Sequence, residues 1–552
     1  MNETFDFVIV GAGSAGSVLA DRLSADGRNR VLVLEYGGSD ASIFIRMPSA
    51  LNIPLNKPRY NWGYESEPEI YLNNRVINTP RGKVLGGSSA INGLVYVRGN
   101  PLDFERWQAE GAAGWSYGDV LPYFKRSETR FEGGDAYRGD SGPLATTYGK
   151  LENPLYGAFV DAAAQAGYPR TADINGFQQE GFGRVDMTVK DGRRWSAADA
   201  YLRPAMRRKN VEVRTHALAT RIVFDGKRAV GVRYLRGNTE HFAAASREVI
   251  VCGGALNSPQ LLKLSGIGPG DELSSHGIPV VHDLPGVGEN LQDHLEFYFQ
   301  IASRKPVTLY SSMGLFARAK IGLRWLLRHD GLGATNHFET GGFIRSRAGI
   351  EYPDIQFHFL PLAVTYDGKG LANEHGFQAH VGPMRSKSTG TVTLRSADAR
   401  TAPKIRFNYM SHPDDWDEMR ACVRLTREIF AQAAFDPYRG REIQPGSEAT
   451  SAADIDAFIR DKAESAYHPS CTCKMGGADD PMAVTDPEAR VRGVERLRVV
   501  DASIMPSVTT GNLNAPTIMI GEKAADMILG LPALPRSNAP YYVAADWETK
   551  QR

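Results

Sequence analysis

The chain has 552 residues, 42% of them hydrophobic and 23% charged, with 64 basic side chains against 63 acidic ones. That length exceeds what one compact core accommodates, so two interleaved domains are expected. The near-neutral balance offers no footing for nucleic acid or another polyanion, and no uninterrupted apolar run approaches the roughly 20 residues that span a bilayer.

The chain enters a strand within five residues, with no basic segment ahead of it, so a secretory leader is not expected. Val8-Ile-Val10 is that strand. A helix follows from Ser14 to Leu23, with Val18, Leu19 and Leu23 at helical spacing, and Val31-Leu-Val-Leu-Glu35 forms a second strand. Between the first strand and the helix stands Gly11-Ala-Gly13-Ser-Ala-Gly16. Gly11 permits the tight turn, Gly13 lets backbone approach a pyrophosphate, and Gly16 lets helix and strand pack closely. Glu35 ends the second strand 19 residues beyond Gly16, where a carboxylate accepts from an adenosine ribose. Together these predict a dinucleotide site, although the fingerprint alone does not separate NAD from FAD.

Arg81-Gly-Lys-Val-Leu85-Gly86-Gly-Ser-Ser89-Ala-Ile91-Asn92-Gly93 carries too many small residues for a helix or strand interior. Its density of Gly and Ser beside Val84, Leu85 and Ile91 fits backbone wrapping a planar ligand. Val211–Thr215 and the strands on either side of Gly226 read as hairpins of an accessory sheet. Arg247–Cys252 is a further strand, with Ser258-Pro259 expected to cap and open a helix through Leu264. Residues 305–455 are more mixed and are assigned to a second domain, with helical pieces at Lys320–Arg328 and Asp417–Gln432. Cys471-Thr-Cys473 lacks zinc-knuckle spacing, and four sparse cysteines predict free thiols in a reducing, cytoplasmic setting and no metal site.

With these segments in hand, the chain resembles the glucose–methanol–choline oxidoreductases along nearly its whole length. The Gly11 fingerprint, the Arg81–Trp107 stretch, Gly254-Ala-Leu-Asn-Ser-Pro…Ser-Gly-Ile-Gly268, and the paired segments Tyr467-His468-Pro and Gly511-Asn-Leu-Asn514-Ala-Pro-Thr517 carry the match. Asn61-Trp62-Gly-Tyr64, Gly288–Glu296, His358-Phe-Leu-Pro and Phe407–Pro413 point to its choline-oxidising branch. The resemblance implies an α/β plus α+β fold. A discontinuous FAD-binding domain (1–155, 205–305, 460–535) interleaves with a substrate domain on an antiparallel sheet (156–204, 306–459), and a tail covers 536–552.

It further implies that FAD is held by Gly11, Gly13, Ser14, Ala15, Gly16, Glu35, Leu85, Gly86, Ser89, Asn92, Gly93, Leu94, Val95, Ala219, Asp501, Ala502 and Thr517. His468 is implied as proton acceptor, Asn514 as its polar partner, and Glu296, His358, Tyr467 and Trp62 as substrate contacts. Glu296 would face a quaternary ammonium, so the implied reaction is choline to betaine aldehyde, with continuation to glycine betaine left open. The alternatives are an uncharged primary alcohol or a redox-neutral lyase reaction on the same fold. Ile91 stands where some relatives link FAD through histidine, which implies non-covalent FAD and a quinone or other acceptor, with peripheral inner-membrane association left open. Cys471 replaces a glycine of the usual motif, so strain is expected if that position needs positive φ.

Overall fold

A computed structural model describes residues 3–364 and 374–552. In chain order its main strands are β1 (Glu3–Val10), β2 (Val31–Leu34), β3 (Gly181–Arg184), β4 (Val211–Arg214), β5 (Ala217–Asp225), β6 (Arg228–Arg236), β7 (Thr239–Val251), β8 (Leu295–Ser303), β9 (Thr340–Ile344), β10 (Ile355–Leu360), β11 (Gly376–Pro383), β12 (Arg439–Gln444) and β13 (Leu497–Val499). Five helices matter below: α1 (Ser14–Ser24), α2 (Gly254–Leu264), α3 (Leu315–Arg328), α4 (Pro413–Phe430) and α5 (Asn514–Leu529).

One sheet has the order β4-β2-β1-β7-β6-β5, with β13 also on β7. Its parallel centre is built from Val8–Val10, Val31–Leu34 and Val249–Val251, all buried, as a strand covered on both faces requires. The stretch read as an accessory sheet belongs to this one. β4 pairs parallel with β2, and the β5–β6 hairpin continues the sheet through β7, whose thirteen residues pair with β1 on one side and β6 on the other. α2 also begins earlier than the sequence suggested, at Gly254, which leaves Ser258 inside the helix.

The second sheet runs β12-β8-β11-β10-β9-β3. Its strand β8 begins at Leu295, within the stretch 205–305 assigned above to the FAD-binding domain. Alternation divides its two faces. Phe297, Phe299, Phe357, Phe359 and Phe377 point one way, where Phe299, Phe359 and Phe377 pack against Phe430 of α4. Glu296, Gln300, Gln356, His358, Gln378 and His380 point the other way and are nonetheless buried. A buried sheet face made of polar residues is costly unless each is partnered, so it marks a site.

The last segment packs against its own chain. Ser537 N donates to Gly118 O, Tyr542 N to Phe177 O, and Arg345 Nη1 to Lys550 O, so the tail is strapped along its own chain.

Candidate active site

The Gly11–Gly16 turn packs with no room to spare. A Cβ on Gly16 would lie 2.0 Å from Gly11 O, and one on Gly87 would lie 2.7 Å from the Gly13 Cα. The fingerprint therefore touches the 81–93 loop backbone to backbone, which only glycine permits here. The N-termini of α1 and α5 converge on the same cavity, joined by Ser14 Oγ donating to Asn514 Oδ1 at 2.8 Å. Two helix N-termini aimed into one cavity suit an anionic pyrophosphate. Glu35 accepts from Ala12 N (3.0 Å) and Gly37 N (2.7 Å) and still lines the cavity, while burial pushes its carboxyl up to about 7. These residues fit an FAD.

The cavity encloses about 310 Å³. Of the expected cofactor contacts, Gly11, Gly13, Ser14, Ala15, Glu35, Ser89, Asn92, Gly93, Leu94, Val95, Ala219, Asp501, Ala502 and Thr517 line it. Gly16, Leu85 and Gly86 are not among the lining residues. Gly16 packs behind the turn, Gly86 N donates to Ala12 O and Leu85 N to Gly38 O, so these three shape the wall rather than form its surface. Asp501 is committed to the protein: it accepts from Gly254 N, Ser258 Oγ and Ser503 N, holding the start of α2 against the segment that follows β13.

Arg194 was not singled out from the sequence. It is buried behind the 81–93 loop and donates to Asn92 Oδ1 (2.7 Å), Asn92 O (2.7 Å), Ser89 O (3.2 Å) and Ile45 O (2.9 Å). Burial drags its guanidinium down to about 9. Arg194→Ala leaves these acceptors buried without donors, at a cost of about 3 kcal/mol. A fall in melting temperature together with faster flavin loss is expected; an unchanged melting curve would show that the clamp contributes nothing.

At the other end of the cavity stands His468, on a strained loop. Tyr467 has φ +66° and Cys471 φ +73°, the strain expected from the missing glycine. Asp293 Oδ1 accepts from His468 N at 2.6 Å, and its Oδ2 accepts from Tyr409 and Ser465 hydroxyls, both at 2.5 Å. Arg81 Nη2 donates to Tyr467 O at 2.6 Å. These contacts hold the imidazole in place from behind.

Its partners then settle its protonation. His294 Nε2 lies 3.1 Å from Met384 O, which can only accept, so that nitrogen carries the proton. Burial lowers His294 to about 4, so its Nδ1 is a bare acceptor. His468 Nδ1, 3.0 Å away, donates to it, leaving the His468 Nε2 lone pair directed into the cavity. The opposite side agrees. Gln356 Nε2 donates to Asn512 Oδ1 (3.2 Å), so the Asn512 amide nitrogen faces His468 Nε2 at 3.1 Å as donor. Burial, then His294, His358 and Arg81, depress His468 well below the ordinary value of 6.5.

The partner expected for His468 was Asn514. The structure places Asn512 there and puts Asn514 on Ser14, with both asparagines lining the cavity. Asn512 lies in the turn before α5 and Asn514 opens the helix, so the two point in different directions, which the Asn-Leu-Asn sequence does not reveal. His358 Nε2 reaches Asn512 Oδ1 at 3.3 Å, one step removed from His468.

Only a neutral His468 can accept a proton, and its folded pKa is depressed, so a reaction that uses it as base should persist below pH 6.5 and fail only on further acidification. The acid limb of a kcat/KM profile is expected below 6.5. A limb at or above that value would contradict the tautomer argument.

Glu296, Trp62, Tyr467, His358, Phe338 and His380 complete this end. Gln378 Nε2 donates to His380 Nε2 (2.6 Å), so His380 Nδ1 donates to Glu296 Oε1 (3.1 Å). The imidazole thereby orients the carboxylate toward the cavity end it lines. Trp62 stacks between Tyr36 and Tyr64, with ring centroids at 5.0 and 5.4 Å, and is thereby fixed as a wall.

Family models for the GMC oxidoreductases match residues 5–296 and 386–521. The chain belongs to the GMC oxidoreductase family. It is an FAD-dependent alcohol oxidoreductase. Among curated GMC relatives, an oxygen-dependent choline dehydrogenase of Brucella ovis is 59% identical over 547 residues, covering 99% of this chain and 100% of the relative. One of Photobacterium profundum is 55% identical over 554 residues, covering 100% and 98%. Pyridoxine 4-oxidase from Mesorbium loti, a solved structure, superposes with a TM-score of 0.87 at 31% identity over 96% of this chain and 99% of that one.

Proposed function

We propose that the chain oxidises choline to betaine aldehyde. The observation that carries this reading is Glu296, a carboxylate on a buried polar sheet face, held by His380 in the same cavity as His468. A quaternary ammonium has no donors and is recognised by charge and aromatic faces. Glu296 supplies the first; Tyr467, Trp62 and Phe338 supply the second. The choline dehydrogenases among the relatives support the same substrate.

FAD, when bound, supplies the hydride acceptor. The protein's part is to hold the alcohol and take its proton. In the resting site Asn512 Nδ2 donates to His468 Nε2. An alcohol entering here gives its hydroxyl proton to that lone pair and accepts the Asn512 amide in exchange, so its oxygen is held as charge develops on it. His294 remains an acceptor toward Nδ1 throughout, and Asp293 keeps the loop from recoiling. On this reading the second polar partner of the base is Asn512, while Asn514 serves the cofactor end with Ser14.

Ile91 is buried in the loop where covalent attachment would need a nucleophile, so all flavin should be released by acid precipitation. Flavin that stays with the pellet would overturn that. For the returning half-reaction we propose a quinone, tested by anaerobic turnover with a short-chain ubiquinone. The substrate reading is tested by comparing choline with its uncharged carbon isostere, 3,3-dimethylbutan-1-ol. A preference of at least about 100-fold in kcat/KM is expected from a buried charge pair and aromatic walls; comparable values would assign the site to uncharged alcohols.

A further inference from the structure

Asn512 stands in the turn before α5, with Gly511 as its neighbour. Such a turn needs contacts from outside to keep one side chain in one place. Here they come from a helix remote in sequence, Pro101–Ala109, on which Asp103, Arg106 and Trp107 share a face at i, i+3 and i+4. Trp107 Nε1 donates to Ser507 O at 2.8 Å, Arg106 Nε to Ser507 Oγ at 2.9 Å, and Arg106 Nη2 to Val508 O at 2.7 Å. Asp103 reaches furthest toward Asn512. Its Oδ2 accepts from Thr510 N at 2.6 Å and its Oδ1 from Thr510 Oγ1 at 2.9 Å.

A helix cap does not account for this carboxylate. Capping uses one bond, from Asn100 N to Oδ2 at 2.8 Å. Asp103 is nonetheless fully buried, which a carboxylate tolerates only when its lone pairs are taken, and Thr510 takes two of them. On the far side Gln179 Nε2 donates to Thr510 O at 3.0 Å, and Gln179 Oε1 accepts from Asn100 Nδ2 at 2.8 Å. All three polar groups of Thr510 are thus engaged, two residues before Asn512. Gly511, with φ +143°, presses on Val97: an added Cβ would fall 2.4 Å from Val97 Cγ1, so the turn cannot drift that way. Asp103, Thr510 and Gln179 lie behind the cavity wall that Asn512 lines.

We propose that Asp103 is a positioning residue for alcohol oxidation: through Thr510 it sets the place of the Asn512 amide opposite His468 Nε2. The proposal rests on the reading of Asn512 as the donor that receives the alcohol oxygen, and not on which alcohol is oxidised. Releasing Thr510 should lower kcat far more than it changes KM, because Glu296, which faces the other end of the substrate, stands on β8.

The test is a double-mutant cycle on the FAD-loaded enzyme. Anaerobic flavin reduction is followed at saturating alcohol, with whichever of choline and 3,3-dimethylbutan-1-ol the wild type oxidises faster. Asp103→Ala is expected to slow reduction by about 10 to 100-fold, with KM changed by less than about three-fold and FAD content unchanged. Asp103→Asn keeps an acceptor for Thr510 N and should recover most of the rate. In an Asn512→Ala background, Asp103→Ala should cost little more, because the group it positions is gone. Thr510→Val cuts the hydroxyl bond alone and leaves the helix cap intact. It should slow reduction by about ten-fold, and it carries the same cycle where Asp103→Ala does not fold.

Equal losses in the two backgrounds would make Asp103 a structural residue and overturn the proposal, as would a loss confined to KM. Asn512→Ala that reduces flavin as fast as wild type would overturn the reading of Asn512, and the proposal with it. A slow Asn512→Ala beside unimpaired Asp103→Ala or Thr510→Val would overturn the proposal alone.

Discussion

Replacing His468 with alanine is expected to lower kcat for alcohol oxidation by between about 10² and 10⁴-fold while FAD binding is retained. The size follows from what the imidazole does. Its Nε2 is the lone pair left over once His294 and Asn512 have fixed both sides of the ring, and the depressed pKa keeps it free of a proton. His468→Gln is the sharper variant, since it preserves hydrogen bonding and removes the base. It should lose nearly as much and should also lose the acid limb of the pH profile. A glutamine variant within about ten-fold of wild type would mean that proton removal does not limit turnover. His294→Phe tests the relay indirectly: the His468 Nδ1 proton loses its acceptor, and a smaller loss with a displaced acid limb is expected.

Glu296→Gln is expected to raise KM and lower kcat/KM for choline by about 10² to 10³-fold, with little change for 3,3-dimethylbutan-1-ol. Glutamine keeps the shape and still accepts from His380 Nδ1, so the difference isolates the charge. A carboxylate facing a desolvated cation contributes on the order of 2–5 kcal/mol, and each 1.4 kcal/mol is ten-fold. Equal losses on both alcohols would assign Glu296 a structural role on the sheet. Loss confined to choline would fix the substrate class and the residue together.

How far the sequence goes depends on how local each feature is. The Gly11 turn, the strand to Glu35 and the 81–93 loop are contiguous, and their glycines have tasks that follow from backbone geometry alone. His468 was legible through the family resemblance of its Tyr-His-Pro segment and because an imidazole titrates near neutral pH. The relay around it was not: Asp293 and His294, Gln356, Met384 and Asn512 come from four separated segments, joined only by tertiary packing. The β5–β6 hairpin was read as an accessory sheet because a hairpin signal is local, whereas its continuity with the parallel sheet depends on both edges of β7. Likewise the α3 pattern announces a helix, but its outward apolar face is visible only once Trp325 is seen to be the side that packs. The polar face of the second sheet was half legible: Glu296 and His358 were singled out, while Gln378 and His380, which orient Glu296, were hidden in an apolar-looking strand.

The central claim, that FAD, His468 and Glu296 form one choline-oxidising site, is tested most directly by an anaerobic absorbance titration of the purified protein. Choline is expected to bleach the oxidised-flavin band while 3,3-dimethylbutan-1-ol at equal concentration leaves it nearly intact, and His468→Gln should bleach far more slowly. A flavin band that choline leaves untouched, in a protein whose band an uncharged alcohol does bleach, would contradict the claim.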